Sequence, residues 1–307
     1  MSITAQMVKE LRLKSSAGMM DCKKALTEMN GDMDAAVDWL RKKGLATASK
    51  KSGRIASEGL IGISLHDNKG AIVEVNSETD FVARNQEFQE FVITISDVAL
   101  KNNGNLDEIL KSNFPNSKKN VKETLTDKIA KIGENMSIRR SEMVSVSNGL
   151  IIGYMHNAVH NSLGKIGVLV AIESEADKAA LQKLGKELAM HIAATSPSSI
   201  SIEDLSSELV ERERKVLIDQ AIASGKPEDI AKKMVEGRLR KFYSEVVLLE
   251  QTFVIDGETK VSDVIQKVSK DLNQNIKINC FVRYNLGEGI EKNTKNFADE
   301  VAEQLSD

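Results

Sequence analysis

Cysteine, proline and tryptophan are scarce in this 307-residue chain, which contains two, three and one of them. Cys22 and Cys280 lie far apart and show neither CxxC nor Cys/His spacing, so no disulfide framework and no zinc site are predicted. We expect each to be a small buried apolar side chain. Aromatic residues make up 4% of the chain, and its net charge is −3. Because stacking platforms are few and a global attraction for phosphates is missing, direct binding to nucleic acid is not expected.

Signatures of enzymes and of nucleotide-binding proteins are also missing. The chain contains no GxxxxGKS/T loop, no strand-linked GxGxxG, no HExxH and no GxSxG. The histidines are dispersed except for His156 and His160, and His191 on an apolar helix is most simply a core residue. We therefore expect no enzymatic active site, no binding or hydrolysis of GTP by the chain itself, no cofactor and no metal site.

Long apolar runs are missing as well. None approaches the roughly 18 residues of a spanning helix, and residues 1–10 lack the apolar core of a signal peptide. We expect no membrane segment and a cytoplasmic location. At 307 residues with 41% apolar content, the chain exceeds what one core usually serves, so two or three domains are expected.

Residues 1–50 are predicted to form three short helices, a ubiquitin-associated-like bundle. Asn30-Gly31 is a left-handed stop signal for the second helix. Asp32 is placed to cap a third helix that ends at Gly44. Met19 and Met20 begin the second helix as an adjacent pair, so one of them should face outward. Gap-filling in the core and contact with a partner both remain open for this pair.

A basic stretch between Arg41 and Arg54 follows the bundle. It predicts a solvated linker at residues 51–56, with an RNA-binding arm as the alternative.

The middle of the chain contains one strand–strand–helix pattern twice. Residues 73–80 align with residues 170–177, which lie 97 positions further on. At the same offset, helical positions in the first copy meet helical positions in the second: Phe91, Val92 and Ile95 meet Leu188, Ala189 and Ile192. Each copy opens with a strand flanked by glycines. The pattern predicts an α+β core of two related subdomains, at 57–140 and 141–276.

The first repeated strand ends in a four-residue segment that we call the wedge motif: Thr79, Asp80, Phe81 and Val82. A large ring beside a carboxylate at a strand exit can enter a partner's pocket while the carboxylate acts on polar groups there. Alternatively, Phe81 packs against Phe88 and Phe91 and Asp80 caps the next helix. The second repeat has Lys178 in place of Phe81, so the shared scaffold does not need an aromatic residue at this position.

Two charged, periodic helices at about 206–243 predict an inserted hairpin, with Gly225 ending the first and Pro227 starting the second. The predicted coiled-coil seam consists of Leu209, Val216 and Ala223 on the first helix and Ile230, Met234 and Gly237 on the second. Such a short hairpin buries little apolar surface by itself and tends to pack on another surface, with a solvated strut as the alternative. Residues 277–307 are predicted to form a short C-terminal module, with a strand at 277–284 and a docking helix at 297–305.

Several segments together resemble bacterial elongation factor Ts. They are residues 8–12, 18–26, 74–76, 79–83, 131–135, 166–170, 225–227, 234–238 and 287–291. They occur in the family's order and cover the chain from end to end, which makes the resemblance more specific than any single motif. An Asn/His-rich stretch at 156–162 departs from the family pattern.

The resemblance implies guanine-nucleotide exchange on the GTPase elongation factor Tu, with a possible homodimer in the complex. It implies that Phe81 enters the partner near its nucleotide site and that Asp80 perturbs the partner's Mg²⁺. Weaker partner contacts are implied for Met19, Met20 and His156. Two other classes stay open: an RNA-binding translation accessory protein and a scaffold that dimerises through the hairpin.

Overall fold

The structure is a computed structural model that describes residues 3–15, 17–66, 68–223 and 228–291. The helices are α1 (Ala5–Ser15), α2 (Met19–Glu28), α3 (Met33–Lys51), α4 (Asp80–Ala83), α5 (Gln86–Lys101), α6 (Leu106–Lys111), α7 (Val121–Ile132), α8 (Lys178–Thr195), α9 (Ser207–Ala223), α10 (Glu228–Val246) and α11 (Val261–Leu272). The strands are β1 (Glu58–His66), β2 (Lys69–Ser77), β3 (Met136–Ser145), β4 (Gly149–His156), β5 (Leu163–Gly164), β6 (Ile166–Glu173) and β7 (Lys277–Asn285). The hairpin turn predicted at 224–227 and the helix predicted at 297–305 lie outside the described residues.

The strands form two sheets, one in the order β3-β2-β1-β5 and one in the order β4-β6-β7. Strands β4 and β6 are antiparallel, with Gly149 opposite Glu173 and His156 opposite Ile166. The predicted α+β class is therefore confirmed. By its internal contacts the chain divides into a first unit (1–62, 73–142 and 285–307) and a second unit (63–72 and 143–284). The boundaries predicted from the sequence at 50, 56, 140 and 276 stay predictions.

Both copies of the predicted repeat have the strand–strand–helix order: β1, β2 and α5 in the first, β4, β6 and α8 in the second. Each opens at a glycine in the left-handed region, Gly59 with φ +124° and Gly149 with φ +142°. A Cβ at Gly59 would lie 2.1 Å from the Val75 carbonyl oxygen, and one at Gly149 would lie 1.9 Å from that of Ile172. Only glycine allows this approach, so the two copies share one backbone device.

The first three helices pack around a small core that includes Cys22, which is buried as predicted, whereas Cys280 is only half-buried. The predicted end of the third helix at Gly44 is wrong, because α3 continues to Lys51. Gly44 is buried, and a Cβ there would lie 3.7 Å from that of Ala130 in α7. Gly44 therefore lies inside the helix where α3 packs on α7, and an added Cβ would make only an ordinary contact there.

The basic stretch from Arg41 to Lys51 belongs to α3, whereas residues 52–56 of the predicted linker are not helical. Arg41 pairs with Glu123 at 2.7 Å, and Lys43 pairs with Asp21 at 2.5 Å. The Lys51 ammonium donates to the carbonyl oxygen of Gly133.

In the second unit, α9 and α10 pack through Leu217, Ala221, Val235 and Leu239. The predicted seam is wrong, since Leu209, Val216 and Ile230 are exposed. The first helix also carries a neighbouring apolar stripe, Val210, Leu217 and Ala221, and periodicity alone does not tell which stripe faces the second helix.

His191 is fully buried in the core of the second unit, as predicted. Its Nε2 lies 2.9 Å from Oε1 of Gln251, and its Nδ1 accepts a hydrogen bond from the Val254 backbone at 3.2 Å. None of the helices in the described ranges combines the length and the apolar content that a membrane crossing requires.

Candidate functional site

The wedge motif follows strand β2 and lies at the surface. The strand residues from Gly70 to Ser77 are all buried, and the chain then enters α4, a helix of only four residues. Asn85 ends this turn and caps α5 by accepting from the backbone of Glu87 at 2.8 Å and of Phe88 at 3.4 Å. The motif is therefore a short protrusion between a buried strand and a separately capped helix.

The ring of Phe81 projects from this protrusion and is 76% exposed. Its neighbour Val82 is buried, as are Phe88 and Phe91 in α5. The alternative in which Phe81 packs against those two rings is therefore wrong. Within one turn of helix, Val82 faces the core and anchors α4 while Phe81 faces solvent.

Asp80 does not cap a helix, so that alternative is also wrong. Its carboxylate accepts from the Arg84 guanidinium at 2.7 Å; the Arg84 side chain is largely exposed and that of Asp80 is partly exposed. In the second repeat the equivalent Asp177 does act as a cap, accepting from Ala179 and Ala180 at 3.0 and 3.1 Å. The spacing of four residues between Asp80 and Arg84 is the signal that could have revealed this pair.

A second set of contacts, missed by sequence reasoning, holds the residues just before Asp80. The Glu134 carboxylate accepts from the Thr79 backbone at 3.0 Å and from its hydroxyl at 2.6 Å. The Asn135 backbone donates to Glu78 at 2.5 Å. These partners lie 55 and 57 residues apart in the chain, which is why no local pattern predicts them.

Met19 and Met20 form a separate surface at the start of α2. Their side chains are 60% and 74% exposed, so the gap-filling role is wrong and both face outward. They belong to the first unit, as the wedge motif does.

His156 belongs to the second unit, where it is the last residue of β4. It is exposed, and its Nδ1 lies 3.2 Å from the hydroxyl of Tyr154. The following Asn157 has φ +52°, so the Asn/His-rich stretch begins with a left-handed turn.

A buried carboxylate anchors the strand that carries the wedge motif. Glu74 in β2 is fully buried and accepts from Arg139 at 3.1 Å, Arg140 at 2.6 Å and the Gly287 backbone at 2.8 Å. Burial opposes its ionisation, but hydrogen bonds from Gly287, Asn76 and Arg140, with the Arg140 charge, outweigh burial and lower the pKa of the Glu74 carboxyl. This ionised group ties β2 to β3 and to the segment after β7.

Within the described parts of the chain, no group of three or more His, Cys, Asp or Glu side chains is arranged to hold a metal ion. The arrangement at the wedge motif is an exposed ring beside a paired carboxylate on a fixed base. Such a site can bind a partner surface.

The similarity to known proteins extends over almost the whole chain. The sequence model of the family described as Elongation factor TS matches residues 78–288, a span that includes the wedge motif. The protein named Elongation factor Ts from Rhodospirillum centenum is 57% identical over 300 residues, 98% of each chain. That from Rhodospirillum rubrum is 56% identical over 304 residues, 99% of this chain and 98% of the relative. That from Rhizobium etli (strain CIAT 652) is 54% identical over 300 residues, 98% of this chain and 97% of the relative.

Proposed function

Because the chain belongs to the elongation factor Ts family, we propose that it is a guanine-nucleotide exchange factor for elongation factor Tu in translation elongation. The observation that carries the mechanism is the exposed ring of Phe81 beside the carboxylate of Asp80. An apolar ring held in water gains free energy when a partner buries it. The wedge motif is therefore suited to a pocket that opens when GDP leaves.

The exchange factor works by differential binding. It binds the nucleotide-free GTPase more tightly than the GDP-bound form, and by linkage it weakens GDP binding by the same factor. Burying a phenylalanine side chain contributes about 1.5 to 3 kcal/mol. Each tenfold loss of GDP affinity requires about 1.4 kcal/mol, so Phe81 alone can account for one to two powers of ten.

Asp80 supplies the charge in this proposal. Its carboxylate acts on the side chains and water around the partner's Mg²⁺, and loss of that ion weakens the hold on the phosphates. The exposed pair with Arg84 does not prevent this, since surface ion pairs contribute only about 0 to 1 kcal/mol. No group of this chain forms or breaks a covalent bond, so the protein is not an enzyme in the ordinary sense.

The RNA-binding alternative loses support from the basic stretch. Arg41 and Lys43 are paired with carboxylates, and Lys51 is bound to a backbone carbonyl. These cations are therefore less available to phosphates than the sequence suggests.

One observation on the hairpin supports the proposal of a homodimer. Leu209, Val216 and Ile230 are exposed apolar residues that its own packing leaves uncovered. Sedimentation of the chain, alone and in complex with the GTPase, tests this proposal, and a 1:1 complex at all concentrations contradicts it.

Titration calorimetry tests the exchange function. The chain is titrated into purified elongation factor Tu in its nucleotide-free form and, separately, with GDP bound. We expect much tighter binding to the nucleotide-free form, with the ratio of the two affinities equal to the loss of GDP affinity. Equal affinity for the two forms contradicts the proposal.

A further inference from the structure

The turn after α7 forms hydrogen bonds with the residues just before Asp80. Helix α7 is capped at its C-terminus by Gly133, which has φ +85° and donates its backbone N–H to the carbonyl oxygen of Ile129. Glu134 and Asn135 follow before β3 begins. Helix α7 is thus terminated by Gly133 alone, and the side chain of Glu134 is available for another role.

Both carboxylate oxygens of Glu134 accept hydrogen bonds from one residue, Thr79. Oε2 accepts from the Thr79 backbone at 3.0 Å, and Oε1 accepts from the Thr79 hydroxyl at 2.6 Å. Hydrogen bonds to an ionised acceptor are stronger than those between neutral groups. The Asn135 backbone holds the preceding residue, Glu78, at 2.5 Å. Two successive residues before Asp80 are therefore fixed from one turn.

The second copy of the internal repeat folds without an equivalent of the Glu134–Thr79 hydrogen bonds. The residue equivalent to Thr79 in the second copy is Ala176, which has no hydroxyl. Its backbone N–H donates to the nearby Ser174 side chain at 3.1 Å. The copy without an aromatic residue thus satisfies this N–H locally, whereas the copy with Phe81 uses a distant carboxylate.

A helix as short as α4 does not hold its own orientation in water. Phe81 lies two residues after Thr79, so the direction of its ring depends on how Thr79 is held and on the packing of Val82. We propose that Glu134 is a positioning residue that presents Phe81 to the partner through Thr79. This inference rests on the exchange function proposed above.

The same turn also receives the end of α3. The Lys51 ammonium donates to the Gly133 carbonyl, and the Asn135 side chain donates to the Arg54 carbonyl at 2.6 Å. The turn therefore joins the end of α3, which shares a core with the helix that carries Met19 and Met20, to the residues before Asp80. It fixes two proposed contact surfaces of the first unit in one frame, which lowers the cost of ordering them on binding.

The test is stopped-flow release of fluorescent GDP from elongation factor Tu at saturating concentrations of each full-length variant. We expect Glu134→Ala to slow release about tenfold, the factor that corresponds to about 1.4 kcal/mol. Glu123→Ala is the matched control, because it removes a carboxylate that bonds the Asn120 backbone and Arg41 at the other end of α7. It should melt at a similar temperature and release GDP at nearly the parent rate.

The double variant Glu134→Ala with Phe81→Ala separates positioning from general stability. If Glu134 acts through Phe81, the double variant releases GDP no more slowly than Phe81→Ala alone. Multiplicative slowing overturns the inference, as does a Glu134→Ala rate equal to that of Glu123→Ala. If Phe81→Ala itself has no effect, the proposed exchange mechanism fails and the positioning role, which rests on it, fails with it; an effect of Phe81→Ala without one of Glu134→Ala overturns the positioning role alone.

A second pair covers the case in which Glu134→Ala unfolds. Thr79→Ser keeps a hydroxyl for Glu134, whereas Thr79→Val is nearly isosteric with threonine and has none. We expect the valine variant to be several-fold slower than the serine variant at equal melting temperature, because one of two hydrogen bonds to Glu134 is lost. Equal rates for the two overturn the inference.

Discussion

Replacing Phe81 with alanine is expected to separate exchange from stability. The ring is 76% exposed in the free chain, so its removal leaves almost no cavity. Surface substitutions of this kind change the free energy of unfolding by no more than about 0.5 kcal/mol. Since about 1 kcal/mol moves the melting temperature of a domain of this size by roughly 2 to 4 °C, the shift should stay below about 2 °C.

The effect on exchange should be much larger. Burial of the ring in the partner is worth about 1.5 to 3 kcal/mol, and about 1.4 kcal/mol corresponds to a factor of ten. Phe81→Ala should therefore slow GDP release at saturation by about ten- to a hundredfold. Phe81→Lys, which copies the residue of the second repeat, should be at least as slow and equally stable.

Two controls define the result. Ile255→Ala removes another exposed apolar side chain, 47% exposed and in the second unit, and should change neither melting nor release. Phe88→Ala removes a fully buried ring and should cost about 3 to 5 kcal/mol of stability. Melting is followed by circular dichroism and release by stopped-flow fluorescence. If Phe81→Ala melts like Phe88→Ala, or releases GDP at the parent rate, the reasoning is refuted.

Three further predictions concern charge. Asp80→Asn should keep the parent melting temperature and slow exchange more at millimolar Mg²⁺ than with a chelator, because its carboxylate acts on the partner's metal; a defect independent of Mg²⁺ contradicts this role. Burial lowers the pKa of His191 despite its hydrogen bond to Gln251. The stability that neutral His191 contributes to the fold is therefore present above the unfolded pKa of about 6.5 and is lost as the pH falls. In urea unfolding, the difference between the parent and His191→Gln should therefore shrink from pH 7 to pH 5, and a constant difference contradicts it. Glu74→Gln should cost on the order of 3 kcal/mol, since Arg139 and Arg140 lose their buried counter-charge; a loss below about 1 kcal/mol in the same assay refutes the anchor.

The features that the sequence predicted well are those fixed by neighbouring residues. Asp32 caps α3 through Asp34 and Ala35, both at 3.0 Å, and Asn30 and Gly31 adopt the left-handed conformations that end α2. A side chain that bonds a backbone group two or three residues away leaves a local signature. The exposed ring of Phe81 was inferred differently, from its replacement by lysine in the second repeat.

The features that sequence reasoning missed depend on distant partners. The extension of α3 beyond Gly44 reflects its packing on α7, and the grip on Thr79 comes from Glu134, 55 residues away. The Glu74 anchor includes Gly287, which lies 213 residues further along. Composition and periodicity carry no information on such pairings, because they are set by the tertiary fold.

The most direct test of the central claim is the rate of GDP release from purified elongation factor Tu, measured with and without this chain. Fluorescent GDP is preloaded on the GTPase, an excess of unlabelled GDP prevents rebinding, and the chain is added at increasing micromolar concentrations. We predict strong acceleration that saturates with concentration and is largely lost with Phe81→Ala. A release rate that the chain leaves unchanged at every concentration would contradict the account.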